Sequence, residues 1–195
     1  MSPRVGLLGG TFDPPHLGHL VVAEVARVAL QLDEVRLVVA GDPWMKETTS
    51  PADVRVGLVR AAVAGNPHLD VDDREVRRDG PTYTADTLEQ LTVEEPGTGW
   101  WFILGMDAAN ALPRWDRMEA ALDLATFVAV SRPGHDAALD GALAERLERL
   151  EVPLIDVSSS QLRGRVQRGE AVRYLIPDAV LALIDEHGLY ADPHD

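Results

Sequence analysis

Two histidines and several glycines and prolines lie in one short stretch near the amino terminus, and these residue types suit the binding of an anion. The stretch runs from Gly9 to His19 with the sequence GGTFDPPHLGH. It follows an apolar run and precedes a helical pattern, so it forms the turn from a strand into a helix. There the first N–H groups of the helix lack backbone partners. His16 and His19 are three residues apart and share one face of the helix, so we expect this turn to bind a polyphosphate.

Three interpretations of this turn stay open from its residues alone. The histidines can cap and pack the helix without any ligand. They can bind a metal together with Asp13, although no His-Glu-x-x-His spacing and no cysteine support a metal. They can bind phosphate, although the stretch is neither a Walker A loop nor a Gly-x-Gly-x-x-Gly dinucleotide fingerprint. The strand–turn–helix context favours phosphate.

A second group of hydroxyl and cationic side chains lies at another predicted helix start, near the carboxyl end. Ser158 and Gln161 fit a capping box, in which the two side chains satisfy backbone N–H groups at the helix start. Ser159, Ser160 and Arg163 lie in the same stretch. Capping alone explains the serines, but the guanidinium of arginine matches phosphate geometry with several donors. We therefore expect a second phosphate-binding segment here.

Strands and helices alternate along the chain, as in α/β proteins with a parallel sheet. Apolar runs predict strands at residues 5–8, 35–40, 69–73, 100–104, 127–130 and 152–157. Helices are expected at residues 17–30, 52–64, 137–150, 158–169 and 179–187, with Thr82 or Thr84 capping another and a further one following Gly105. Residues 75–80 are expected to form a turn. The loop at 41–51 leaves the carboxyl end of the second strand, where ligands bind in open α/β sheets, and contains Lys46, the single lysine.

Composition limits the class of protein. With 195 residues and 46% hydrophobic residues, the chain suits one domain with a real core. Its net charge of -14 opposes a nucleic-acid partner, but it permits a small anionic ligand in a local basic pocket. No cysteine is present, which excludes disulfides and a cysteine nucleophile. No signal-peptide or membrane-spanning pattern is apparent, so we expect a cytoplasmic protein without a membrane partner; a homo-oligomer stays open.

The two anion-binding stretches resemble the two signatures of the nucleotidyltransferase superfamily. Residues 9–19 resemble its (His/Thr)-x-Gly-His signature, and residues 158–163, SSSQLR, resemble Ile-Ser-Ser-Thr-x-x-Arg, with Ser160 in place of the commoner threonine. Within that superfamily, nearly the whole chain is similar to bacterial nicotinate-mononucleotide adenylyltransferases. The supporting segments are Gly80 to Leu88, Gly105 to Trp115 and Ser131 to Gly134, and the loop from Pro43 to Lys46 is similar to the actinobacterial branch.

This resemblance implies a fold and a reaction. The fold is a Rossmann-like doubly wound parallel sheet in a single nucleotidyltransferase domain over residues 1–195, with a small helical part at the C-terminus. The reaction joins ATP and nicotinate mononucleotide to give deamido-NAD and pyrophosphate in NAD biosynthesis. Mg²⁺ is the implied cofactor, carried mainly by the ATP phosphates, and no residue is expected as a dedicated metal ligand.

The resemblance also implies roles for individual residues. His16, His19 and Arg163 are the implied catalytic residues, and they bind the ATP phosphates. The wider ATP-binding set comprises Gly9, Gly10, Thr11, Phe12, Gly18, Gly105, Asp107, Ser158, Ser159 and Ser160. The implied substrate-binding residues are Lys46, Thr82, Tyr83, Thr84 and Trp115. Alternatives are the same chemistry on nicotinamide mononucleotide or phosphopantetheine, and a nucleotide sensor without catalysis.

Overall fold

The computed structural model describes residues 2–43, 49–131, 141–153 and 155–191. Within these ranges, six strands form one sheet in the order β3-β2-β1-β4-β5-β6, and every pairing is parallel. This is the strand order of the doubly wound Rossmann fold, so the predicted fold is confirmed. The strands are β1 (Arg4–Gly10), β2 (Glu34–Val39), β3 (Leu69–Asp72), β4 (Gly99–Gly105), β5 (Thr126–Ser131) and β6 (Leu147–Glu151).

Helices connect the parallel strands and cover the sheet. They are α1 (Leu17–Ala29), α2 (Ala52–Val63), α3 (Arg74–Arg77), α4 (Thr84–Glu94), α5 (Met106–Ala111), α6 (Met118–Leu124), α7 (Gly141–Ala144), α8 (Ser159–Gln167) and α9 (Asp178–Glu186), and a 3₁₀ turn spans Leu112–Arg114. In the part of the chain that the structure describes, no helix combines the length and apolar character needed to cross a bilayer.

Two cores form because alternate residues of a strand point to opposite faces of the sheet. Leu7 of β1 belongs to one core, with Leu88 of α4. The next residue, Leu8, belongs to the other core, with Ala23 of α1 and Val59 of α2. Because both faces are covered, the central strands are apolar throughout, and this explains why their positions follow from the sequence.

The C-terminal helices form the small helical part that the resemblance implies. Leu162 of α8 and Val180 and Ile184 of α9 are buried in one cluster with Leu58 of α2. This packing places the start of α8 next to the main sheet. The same packing explains why the start of α8, which is distant in sequence, reaches residues 9–19, called the first motif below.

Two predictions near the carboxyl end are wrong. The expected helix at 137–150 is a four-residue helix, α7, followed by the sixth strand, while residues 137–140 lie outside the described part. The expected strand at 152–157 is not a strand in its described residues. The sequence of β6, LERLE, has charges because β6 lies at the edge of the sheet, where charged side chains reach water. Those charges make the strand look like a solvated helix.

The segment between β3 and α4 also differs from prediction. Residues 75–80 do not form only a turn, because α3 occupies Arg74–Arg77. The N-cap of α4 is Tyr83, not Thr82 or Thr84. The Thr82 hydroxyl instead accepts a hydrogen bond from the Asp42 N–H at 3.1 Å, so it joins this segment to the loop after β2.

Glu75 of α3 is a buried acid beneath the same loop. Only 8% of it is exposed, and its carboxylate accepts a hydrogen bond from the Thr87 hydroxyl at 2.7 Å. Burial raises the pKa of Glu75 to about 7, against the opposing effects of the Thr87 hydrogen bond and the Arg78 charge; Asp72 raises it further. The folded protein therefore binds the Glu75 proton more tightly than the unfolded chain does.

The Glu75→Gln variant should lose a pH dependence of stability that the parent chain has. A raised pKa in the folded state stabilises the protein fully below the unfolded value of 4.5, and that contribution disappears as the pH rises through about 7. We expect the parent's free energy of unfolding to fall by on the order of 2–3 kcal/mol over this window relative to Glu75→Gln. Urea unfolding at pH 5 and pH 8 measures it, with exposed Glu186→Gln as control. Parallel pH profiles of parent and Glu75→Gln would contradict the prediction.

Candidate functional site

The first motif leaves the sheet at its topological switch point. Strand β1 pairs with β2 on one side and β4 on the other, and Leu8 lies opposite Ile103 of β4. The connection after β1 enters α1, which covers one face, and the connection after β4 enters α5, which borders the core of the other face. Ligands of open α/β sheets bind in the crevice that opens between such diverging connections.

The two histidines are stacked at the start of α1. His16 is the N-cap and is 6% exposed, and its ring centroid lies 3.8 Å from that of His19. The His16 N–H donates to Nδ1 of His19 at 3.2 Å. Because Nδ1 accepts this hydrogen bond, the proton of a neutral His19 ring is on Nε2, which makes Nε2 a donor. Such a donor suits a phosphate oxygen without requiring a charged imidazole.

Phe12 and Gly18 fix the two rings in place. Phe12 is fully buried, adopts a left-handed φ of 51°, and packs edge-on against His19 with centroids 4.9 Å apart. A Cβ on Gly18 would lie 3.0 Å from two atoms of the His16 ring. Glycine at this position therefore leaves room for the His16 ring.

The free N–H groups expected at the start of α1 are partly occupied within the protein. The Leu17 N–H donates to the Leu175 carbonyl at 2.9 Å, and the His19 N–H donates to the His16 carbonyl at 2.9 Å. Fewer N–H groups at this helix terminus are therefore open to an anion than predicted.

The second motif, residues 158–163, contacts the first motif directly. The predicted capping box is confirmed, because Ser158 accepts from the Gln161 N–H and the Ser158 N–H donates to Oε1 of Gln161. Arg163 donates from Nη1 to the Asp13 carbonyl at 2.7 Å and from Nη2 to the Ser160 hydroxyl at 3.3 Å. The Ser159 hydroxyl donates to the Pro14 carbonyl at 2.9 Å. The single hydroxyl proton of Ser159 is thus donated to a partner within the protein.

Sequence reasoning missed the structural role of Asp13, which it considered only as a metal ligand, and missed Arg55 altogether; both are buried charged residues that hold these loops together. Asp13 is 1% exposed and accepts hydrogen bonds from the Thr49 N–H at 2.6 Å and the Tyr190 hydroxyl at 2.6 Å. Arg55 is 1% exposed and donates to the carbonyls of Thr11 and Gly41 at 2.9 and 3.1 Å. An aspartate inside the motif was a visible signal; nothing local to α2 marks Arg55.

The ionisation of Asp13 follows from these contacts. Burial raises the pKa of Asp13, but hydrogen bonds from Tyr190, Ser50 and the backbone N–H groups of Thr49 and Ser50 outweigh it and hold the pKa below its usual value. The carboxylate is therefore the stable form in the folded protein. Its stabilising effect is present above the unfolded pKa near 4 and is lost as the pH falls through the lower folded value.

Four of the five expected substrate-binding residues, Thr82, Tyr83, Thr84 and Trp115, lie in or beside elements that pack on the core of the other sheet face. Trp115 is half-buried against the core that contains Phe102, with the ring centroids 6.0 Å apart and the planes nearly perpendicular. Its Nε1 is buried and has no hydrogen-bond partner within the described ranges. Tyr83 and Thr84 are half-buried at the start of α4. The buried Thr82 faces Asp42, which gives it a structural contact.

Five further predicted positions are at the carboxyl ends of β1 and β4 or within two residues of them. Gly105 ends β4 and caps α5, and Asp107 is exposed in the first turn of α5. The predicted ATP-binding residues Gly9 and Gly10 are the last two residues of β1, which runs two residues beyond its predicted end, and Thr11 follows the strand. A Cβ on Gly10 would lie 2.9 Å from the Phe12 ring. Lys46 lies outside the described residues.

Two other features of the described residues do not compete with this site. A cleft of roughly 510 Å³ opens beside β3 and α3, but two of the arginines that line it, Arg74 and Arg77, are paired with Asp72 and Asp73. No three His, Cys, Asp or Glu side chains gather there or elsewhere in the described ranges in a way that could hold a metal ion.

Replacing Gly18 by alanine should displace His16 and weaken ATP binding by about tenfold, the effect of losing one modest interaction. The new Cβ would be too close to a buried ring that cannot move freely. Titration calorimetry with ATP measures the loss. Gly57→Ala in α2 is the matched control, because its Cβ meets no atom within 4 Å and should stabilise the helix by about 0.5–1 kcal/mol. Unchanged ATP affinity in Gly18→Ala would show that the His16 position is irrelevant.

Comparison with known proteins places this architecture in a family. The sequence profile described as cytidylyltransferase-like matches residues 7–165. A protein of Leifsonia xyli subsp. xyli named as a probable nicotinate-nucleotide adenylyltransferase is 46% identical over 188 residues, covering 96% of this chain and 94% of that protein. A protein of the same name from Oceanobacillus iheyensis is 41% identical over 188 residues, covering 96% of each.

Solved structures of the same fold come from Plasmodium falciparum. Its nicotinic acid mononucleotide adenylyltransferase complexed with NaAD has a TM-score of 0.79 at 19% identity, covering 96% of this chain and 97% of that chain. The same enzyme complexed with APC has a TM-score of 0.77. At this identity the likeness concerns the fold, whereas the sequence relatives are close enough to show kinship. The chain belongs to the cytidylyltransferase-like family, in the branch of the bacterial nicotinate-nucleotide adenylyltransferases.

Proposed function

We propose that this protein transfers the adenylyl group of ATP to nicotinate mononucleotide, giving deamido-NAD and pyrophosphate in NAD biosynthesis. The relatives that match almost its full length bear the name of this activity, and the related fold from Plasmodium falciparum was solved with NaAD. The observation that carries the proposal is the contact between the two motifs: Arg163 donates to the Asp13 carbonyl, three residues before His16. Cationic and imidazole donors from distant segments thereby converge on one site.

The chemistry needs little from the protein beyond placement and charge. An oxygen of the mononucleotide phosphate attacks the α-phosphorus of ATP, the new P–O bond forms, and the bond to the bridging oxygen breaks as pyrophosphate leaves. The attacking group is already an anion, so no general base is required. Catalysis then consists of positioning and of stabilising the charge that develops on the α-phosphate and on pyrophosphate.

Each motif residue has a place in this scheme. His16 and His19 donate to ATP phosphate oxygens from one side, and Arg163 supplies a fixed positive charge from the other. Ser158 and Ser160 lie at the exposed start of α8, where a phosphate can reach them. Mg²⁺ carried by the ATP phosphates supplies further charge neutralisation when bound. Gly9, Gly10, Thr11 and Gly18 shape the end of β1 and the start of α1, against which the triphosphate lies.

The acceptor lies on the far side of the crevice. Trp115 presents a half-buried ring, and such a ring suits contact with an aromatic ligand. Tyr83 and Thr84, at the start of α4, border the same edge of the sheet. We assign the nicotinate ring and its carboxylate to this group, and the ribose of ATP to Asp107 and Gly105.

Four further properties of this protein, its domain organisation, location, partners and oligomeric state, follow as predictions. We treat residues 1–195 as a single nucleotidyltransferase domain, supported by the core that α8 and α9 share with α2. A cytoplasmic location, the absence of a nucleic-acid partner, a homo-oligomer and a phosphate contact by Lys46 are predictions of the same kind.

Pyrophosphate release from ATP and Mg²⁺ tests the reaction with three acceptors in parallel. We expect release with nicotinate mononucleotide well above that with nicotinamide mononucleotide, because the assigned site reads a carboxylate. Equal use of both would keep the chemistry and remove the carboxylate-reading assignment. Release only with phosphopantetheine would change the acceptor. Release with none of them, together with tight ATP binding, would indicate a nucleotide sensor.

The His19→Ala variant should lose turnover by roughly 10²–10³-fold, the usual effect of removing one donor to a developing charge. The ring is half-buried, and its removal leaves the helix and both cores in place. Initial rates of pyrophosphate release measure the effect, and circular dichroism checks the fold. His68→Ala, an exposed histidine before β3, is the control and should keep the parent rate. A near-parent rate in His19→Ala would exclude His19 from the transition state.

A further inference from the structure

We propose that Tyr190 and Asp13 are positioning residues for the ATP-phosphate site. The Tyr190 hydroxyl, in the segment after α9, holds the Asp13 carboxylate and thereby fixes the main chain that Arg163 and Ser159 contact. The identity of the ligand rests on the proposed function. The positioning role itself rests on contacts within the protein.

The Asp13 carboxylate is the hub of three segments. It accepts from the Tyr190 hydroxyl at 2.6 Å, from the Thr49 N–H at 2.6 Å and from the Ser50 N–H at 3.2 Å. The Ser50 hydroxyl in turn donates to the Tyr190 oxygen at 3.1 Å. Hydrogen bonds to an ionised, buried carboxylate are shorter and stronger than neutral ones. The phosphate-binding turn, the start of α2 and the C-terminal segment are therefore joined at one point.

The main chain of the same residue makes the contact to the second motif. The Asp13 carbonyl accepts from Arg163 at 2.7 Å, and the next carbonyl, of Pro14, accepts from Ser159 at 2.9 Å. A shift of the Asp13 side chain would move both carbonyls. The position of the Arg163 guanidinium relative to His16 is thus set through Asp13.

Arg55 stabilises the loops around Asp13. Its guanidinium donates to the carbonyls of Thr11, Gly41 and Ser50 at 2.9, 3.1 and 3.2 Å. Burial lowers the pKa of Arg55, and the Asp13 charge opposes that shift. The opposite charges of Arg55 and Asp13 compensate each other. The two side chains bind different groups of the same loops, because Arg55 donates to carbonyls and Asp13 accepts from N–H and O–H groups.

Tyr190 has an energetically unfavourable backbone conformation. Its φ is 63°, in the left-handed region that aromatic residues rarely adopt, and the chain reaches it through Gly188 with φ 58°. Such conformations persist where surrounding contacts fix them, often beside functional sites. The contacts that fix Tyr190 include its hydroxyl bonds to Asp13 and Ser50.

The test compares Tyr190→Phe with Tyr174→Phe. The first variant keeps the ring and removes only the hydroxyl. The second removes a hydroxyl from a tyrosine that is 82% exposed. We expect Tyr190→Phe to weaken ATP binding and to lower kcat/KM for ATP by about tenfold each, consistent with the loss of a hydrogen bond to a charged group. Tyr174→Phe should match the parent.

The measurements are made well below the unfolding midpoint of every variant, so that only folded protein contributes. A purely structural role would lower that midpoint and leave ATP affinity and kcat/KM per folded molecule at parent values, which would overturn the proposal. A double-mutant cycle with Ser159→Ala adds a second criterion. If both residues act on the same main-chain segment, their effects on kcat/KM combine less than additively; full additivity would contradict that path.

Failure of the proposed function gives a different result. A parent protein that releases no pyrophosphate with any acceptor would refute the adenylyl transfer. The calorimetric ratio of ATP affinities between parent and Tyr190→Phe would still decide the positioning role. Equal affinities would overturn it, and a ratio of about ten would support it.

Discussion

The hydrogen bond from Arg163 to the Asp13 carbonyl spans 150 residues of sequence, and the candidate site depends on it. It exists because the C-terminal helices pack on α2 and bring the start of α8 to the carboxyl edge of the sheet. In the proposed function, the stacked histidines and Arg163 hold a triphosphate together, as transfer at its α-phosphate requires.

Electrostatics at this edge differ from those of the protein as a whole. The net charge is -14, yet the site gathers a guanidinium and two imidazoles, and its one buried acid, Asp13, is saturated with donors. Many other arginines in the described ranges are paired with carboxylates, as Arg74 is with Asp72 and Arg117 with Asp86. Arg163 bonds instead to a carbonyl and a hydroxyl, so its charge is not neutralised by a contacting acid in those bonds.

The fold brings the two sets of residues that we expect to bind ligands, the histidines and the group around Trp115, to opposite sides of one crevice. The histidines follow β1 and lie beside α1, whereas Trp115 follows α5 and packs on the other core. A dinucleotide product has two such ends. The switch point between β1 and β4 thus gives a structural reason for the proposal that one short sheet binds both reactants at once.

The sequence by itself determined the central strands, the turn from β1 into α1 and the capping box at Ser158, because burial on both faces and helix capping are encoded by neighbouring residues. It placed Gly9 and Gly10 in that turn, whereas they end β1. It failed at β6, where edge charges resemble a helix, and at α3. The tertiary structure alone decided that Asp13, Arg55 and Tyr190 meet, and that the Leu17 N–H is used by Leu175. These contacts join segments far apart in the chain, and no local pattern records which distant donor a buried carboxylate will find.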